Sequence, residues 1–138
     1  MAAVETQQTV QATAKFVRVS PRKARLVADH IRGRSVPEAR TILAFTERAA
    51  AVDVEKVLRS AVSNAESNPA LHWNGDDLVV HSVVVDEGPT LKRWRARARG
   101  RTSRIMKRTC HITVELVQPA SAPTPAPVAP ATTEESEE

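Results

Sequence analysis

Aromatic residues are nearly missing from this chain: two Trp, two Phe and no Tyr among 138 residues. Any core must therefore be packed from Val, Leu, Ile and Ala. Cysteine occurs once, at Cys110, which excludes an internal disulfide and a multi-cysteine zinc site. No apolar run approaches the ~18–20 residues of a membrane-spanning helix, so neither a membrane protein nor a membrane partner is expected. The opening MAAVETQQTVQATA has neither the apolar stretch of a secretory signal nor the arginines of a transit peptide, and a cytoplasmic location is expected. Gly33, Gly75, Gly88 and Gly100 stand apart, so no glycine-rich loop cradles a phosphate. His30, His72, His81 and His111 fall singly, without metal-ligand spacing. Cys110 and His111 are adjacent, and neighbours on a strand point to opposite faces, which argues against a thiol–imidazole pair. The expectation is no enzyme, no catalytic residue, no metal and no cofactor.

What is present is positive charge, unevenly placed. Lys and Arg number 20 against 16 Asp and Glu, a formal net charge of +4. Setting aside Glu5 and the glutamates at 134, 135, 137 and 138 leaves 11 acids against 20 bases, a net of +9. Residues 92–108 (KRWRARARGRTSRIMKR) hold nine bases and no acid. A second cluster comprises Lys15, Arg18, Arg22, Lys23, Arg25, Arg32 and Arg34, opposed by Asp29 alone. Residues 35–91 are acidic, with nine acids against four bases. Local segregation of this kind points to binding a polyanion. The candidate contacts are Lys15, Arg18, Arg22, Lys23 and Arg25 in one group. Lys92, Arg93, Arg95, Arg97, Arg99, Arg101, Arg104, Lys107 and Arg108 form the other.

Composition divides the chain into a flexible N-terminus at 1–14, a folded unit at 15–118 and a disordered Pro/Ala/Glu tail at 119–138. The tail has five prolines, few large apolar groups and four terminal carboxylates that could shield the basic surfaces.

Within the folded unit, Lys15–Val19 reads as a short strand. Ser20 and Pro21 open a helix that Gly33 stops, with Ala24, Val27, Ala28 and Ile31 on its apolar stripe. Arg22, Lys23 and Arg25 crowd its N-terminal turns, where the helix dipole disfavours cations. Ser35 and Glu38 have capping-box spacing for a second helix carrying Ala39, Ile42 and Leu43. A third helix spans about 47–66, with a Glu55–Arg59 pair on its exposed side. Residues 78–85 and 110–117 read as antiparallel strands, leaving 86–109 as a long excursion best formed as a protruding β-hairpin. The fold class is α+β: a three-stranded antiparallel sheet packed against three helices. At the hairpin base, Asp86 and Glu87 either hold a magnesium ion or pair with nearby bases.

Arg93, Arg95, Arg97, Arg99 and Arg101 occupy alternate positions. On a strand they would line one face about 7 Å apart, opposite Trp94, Ala96, Ala98 and Gly100. That spacing is shorter than the ~8–10 Å Debye length, so the row repels itself until phosphates neutralise it. Arginine's planar fork suits phosphate. Trp94 either stacks on a base or an arginine plane, or packs across the ribbon on Ile105 or Met106.

The segments SPRKARLVADHIRGR, SAVSNAESN and VDEGPTLKRWRARARGRTSRIMKRTCHITVEL resemble the family of large-subunit ribosomal protein number twenty-two, bacterial type, over about 15–118. The hairpin matches from Gly88 through Thr109. The chain departs from many relatives at Ala96, Thr102 and Cys110. The resemblance implies a structural constituent of the large subunit that binds its rRNA, assists assembly and sits in the cytoplasmic ribosome beside neighbouring large-subunit proteins. It also implies that the hairpin tip (Trp94, Arg95, Ala96, Arg97, Ala98 and Arg99) lines the exit tunnel and meets the nascent peptide. No homo-oligomer is expected. The rival reading is a non-ribosomal basic nucleic-acid-binding protein, for instance one using 20–32 as a recognition helix.

Overall fold

A computed structural model describes residues 8–119. Its elements are β1 (Thr9–Val17), α1 (Pro21–Ile31), α2 (Val36–Phe45), α3 (Ala49–Ser67), β2 (Val79–Glu87), β3 (Leu91–Ala96), β4 (Thr102–Lys107) and β5 (Cys110–Val117). Strands β1, β5 and β2 form an antiparallel sheet in that order, and β3 pairs with β4 as a separate two-stranded sheet. This is the expected α+β arrangement.

Each element follows from its pattern. In β5, Cys110, Ile112, Val114 and Leu116 are buried while the residues between them are half-buried, so one face of the central strand closes the core. Three helical stripes meet that face: Ala24, Val27, Ala28 and Ile31 of α1, Val36, Ala39 and Leu43 of α2, and Val54, Leu58, Ala61 and Ala65 of α3. No aromatic side chain lies in this core; Trp73 packs on its margin.

Three local expectations are corrected. The first strand begins at Thr9, so residues 9–14 of the stretch expected to be flexible are paired with β5, from Thr9 against Val117 to Ala14 against Ile112. The pairing shifts between Ala14 and Val17, where Phe16 takes φ 58° and donates its backbone N–H to His111 Nδ1. The capping box does not form, because Ser35 makes no side-chain cap and its backbone bridges to Val79. Among the described residues the only ion pair is Asp29–Arg32, so Glu55–Arg59 is not one, and neither Asp86 nor Glu87 pairs with a base. The expected tail lies outside the described residues from position 120 onward.

Strand β2 is an edge strand, and an edge leaves unpaired carbonyls that can template aggregation. Here four carbonyls along that edge, from Leu78 to Val85, are occupied. The α1–α2 link covers the first half, with Gly33 N–H on Val80 O (3.0 Å), Val36 N–H on Leu78 O (2.9 Å) and Val80 N–H on Arg34 O (2.9 Å). Guanidiniums from α1 cover the rest: Arg32 Nε and Nη2 donate to Val83 O at 3.1 and 2.7 Å, and Arg25 Nε and Nη2 to Val85 O at 3.2 and 3.1 Å. The covered carbonyls run 78, 80, then 83, 85, and the change of parity coincides with the bulge between Val80 and Ser82.

Candidate nucleic-acid interface

The hairpin leaves the body through a narrow neck. Gly88 N–H donates to Thr109 O at 2.9 Å, and Thr109 Oγ1 donates to Pro89 O at 2.6 Å. Thr109 is the one buried polar residue among those described. Gly88 is required by close approach: a Cβ there would stand 2.4 Å from Thr109 Oγ1. Beyond the neck every residue of β3 and β4 is exposed except half-buried Ser103.

The register, from Leu91 opposite Lys107 to Ala96 opposite Thr102, fixes which side chains share a face. Leu91, Arg93, Arg95, Ser103, Ile105 and Lys107 lie on one face; Lys92, Trp94, Ala96, Thr102, Arg104 and Met106 lie on the other. The strand ends at Ala96, so the single row of five arginines is corrected. Arg93 and Arg95 share a face, and Arg97 joins them through a 3.3 Å hydrogen bond from Nε to Ser103 Oγ. Arg99 and Arg101 belong to the turn, closed by Arg97 N–H on Arg101 O at 2.8 Å. Arg99 (φ 60°) and Gly100 (φ 67°) are both left-handed. For an arginine that costs roughly 1–2 kcal/mol. Positive charge therefore appears on both faces and around the tip, which suits insertion between polyanion segments better than lying on one.

Trp94 carries an arginine over its ring. Arg104 stands directly across the strand pair with its guanidinium carbon 5.5 Å from the Trp94 ring centroid, while Ile105 lies on the opposite face. The indole stays 63% exposed, leaving its other face free.

On the body, the predicted bases part ways. Lys15 lies exposed near the bulged end of β1, and Arg22 is exposed on the first turn of α1. Arg25, itself exposed, donates to Val85 O and so covers part of the sheet edge. Arg18 and Lys23 line a cleft of about 430 Å³ with Val19, Ser20, Ala49, Ala50 and Arg48. Arg48 was hidden from sequence reasoning inside the acidic stretch 35–91. No linear signal reveals it, because only folding brings the α2–α3 turn beside the start of α1. A second cleft of about 500 Å³ is lined by Arg18, Ser20, Met106, Lys107 and Arg108, at the hairpin base.

The other reactive candidates are structural. Cys110 is buried in the core and its thiol is pushed up from its ordinary value of 9.0, chiefly by burial, with Asp53 adding to the effect. His111 points the other way and meets the Phe16 ring edge-on at 4.9 Å. Among the described residues no group of His, Cys, Asp or Glu is placed to hold a metal ion, and no helix is long and apolar enough to cross a membrane.

Comparison with known proteins agrees with this geometry. A protein named large ribosomal subunit protein uL22 from Pediococcus pentosaceus is 59% identical over 110 residues, covering 80% of this chain and 92% of its own length. Its namesake from Rubrobacter xylanophilus is 52% identical over 130 residues, covering 94% of this chain and 100% of its own. Residues 12–117 match the profile described as ribosomal protein L22p/L17e, and the chain belongs to that family.

Proposed function

We propose that this chain is a structural, non-enzymatic constituent of the large ribosomal subunit in the cytoplasm, binding large-subunit rRNA and assisting assembly. One observation carries the reading: a hairpin exposed at every strand residue but Ser103, with nine bases and no acid at 92–108, projects from a folded body. Family membership and the names of both relatives support the ribosomal setting. The hairpin, charged on both faces, threads between rRNA segments and neutralises their phosphates. Its tip (Trp94, Arg95, Ala96, Arg97, Ala98 and Arg99) lines the exit tunnel beside the nascent peptide, and the body adjoins neighbouring large-subunit proteins. The RNA contacts are Lys15, Arg18, Arg22 and Lys23 on the body and Lys92, Arg93, Arg95, Arg97, Arg99, Arg101, Arg104, Lys107 and Arg108 on the hairpin.

A DNA-reading helix is disfavoured, since α1 turns Arg25 and Arg32 back onto its own sheet. Co-sedimentation with large subunits after a high-salt wash tests the reading; release of the protein into the wash together with binding to unrelated duplex DNA at equal affinity would overturn it. Full engagement of nine bases corresponds to a log–log salt slope of about −6 to −8.

A further inference from the structure

The two basic clefts adjoin to make a trough. They share Arg18 and Ser20, and together their lining carries Arg48, Lys23, Arg18, Lys107 and Arg108 without a single carboxylate. The bases come from separate parts of the chain: the residue preceding α3, the first turn of α1, the β1–α1 link and the end of the hairpin. Glu47 adjoins Arg48 in sequence but does not line the trough. The trough thus runs from the body onto the hairpin, crossing the neck where, beyond the two chain connections and the Glu87–Cys110 end of the β2–β5 pairing, the Gly88–Thr109 and Thr109–Pro89 hydrogen bonds join the two among the described residues. With β3 and β4 exposed on both faces, the protein supplies little else to fix the hairpin's direction.

We infer that one RNA backbone segment lies along this trough and, by bridging Arg18, Lys23 and Arg48 on the body to Lys107 and Arg108 on the hairpin, sets the angle at which the hairpin projects. The inference deepens the RNA-binding reading and rests on it. Five cations with no carboxylate among them suit the repeated charge of a phosphate backbone, and Met106 in the same lining offers an apolar contact to a sugar. An acidic protein segment is the competing occupant.

The test uses the full chain with spin labels introduced at Ser63→Cys on α3 and Thr102→Cys on the hairpin, in a Cys110→Ala background, and measures the distance distribution between them. The probe is in vitro transcribed large-subunit rRNA. The free protein is expected to give a broad distribution that narrows on rRNA. Arg18→Ala/Arg48→Ala should weaken binding, with a salt slope shallower by about 1.5, and leave the distribution broad even once saturated. Arg93→Ala/Arg95→Ala should weaken binding and still narrow once saturated. Equal narrowing in the trough variant, or a free protein that is already narrow, would overturn the trough while leaving RNA binding intact. Narrowing by polyglutamate at equal charge concentration would overturn it in favour of an acidic segment. Failure of the labelled parent to bind rRNA at all would overturn both readings.

Discussion

Along β5, side chains alternate and every second one vanishes from water beneath three helices. Along β3 the same alternation leads nowhere, because both faces are wet. The body is ordered by apolar burial, its natural driving force. The hairpin has backbone pairing, the Trp94–Arg104 contact and the Arg97–Ser103 hydrogen bond against the mutual repulsion of nine bases, so a polyanionic partner adds to its order. Two-stranded ribbons are marginal alone, and this one is built to be completed.

The sharpest way to break that comparison is to exchange the perturbations. Leu58→Ala in the fully buried stripe of α3 should lower stability by about 2–5 kcal/mol in urea unfolding. Replacing Arg93, Arg95, Arg97 and Arg99 together by Ala should leave the melting temperature nearly unchanged while flattening the RNA salt slope by about 3. A large thermal shift in that variant would mean the hairpin shares the body's cooperativity. Gly88→Ala tests the neck: the new methyl meets Thr109, and a loss of about 1–3 kcal/mol is expected, read by urea unfolding. Amide exchange should speed at Gly88 before the core opens. Arg25→Ala should cost about 1 kcal/mol through the exposed Val85 carbonyl and barely alter the salt slope, the reverse of a phosphate contact. Trp94→Ala should cost the hairpin roughly 0.5 kcal/mol, visible as faster exchange in β4 and not as a change in melting temperature.

The smallest effect belongs to pH. The Cys110 thiol is raised in the folded state, so its contribution to stability is whole below about pH 9 and fades as pH climbs through the raised value. Cys110→Ala should remove that part of the alkaline decline in a pH series of melting temperatures.

Helix bounds were legible because their signals are local. Ser20-Pro21 and Gly33 bracket α1, and α3 falls within two residues of its expected range at both ends. Strand β1 was misplaced because Val10, Ala12 and Ala14 alternate with little β-forming weight, and pairing to β5 supplies what they lack. At the interface, the hairpin's charge and extended backbone were legible, while the split of its arginines between face and turn depended on where the chain reverses. The placements of Arg25 and Arg48 were not legible for one reason: each is set by a neighbour distant in sequence. Arg25 finds a sheet edge and Arg48 finds the start of α1.

The sealed β2 edge carries a consequence for the protein's life before assembly. Another copy cannot dock a strand where Leu78, Val80, Val83 and Val85 carbonyls are already occupied, and on the opposite border Asn64 Nδ2 holds Gln11 O at 3.2 Å. The covered carbonyls of β2 therefore do not template strand addition in a surplus pool, and the exposed hairpin bases leave condensation with polyanions, reversed by added salt, as the hazard.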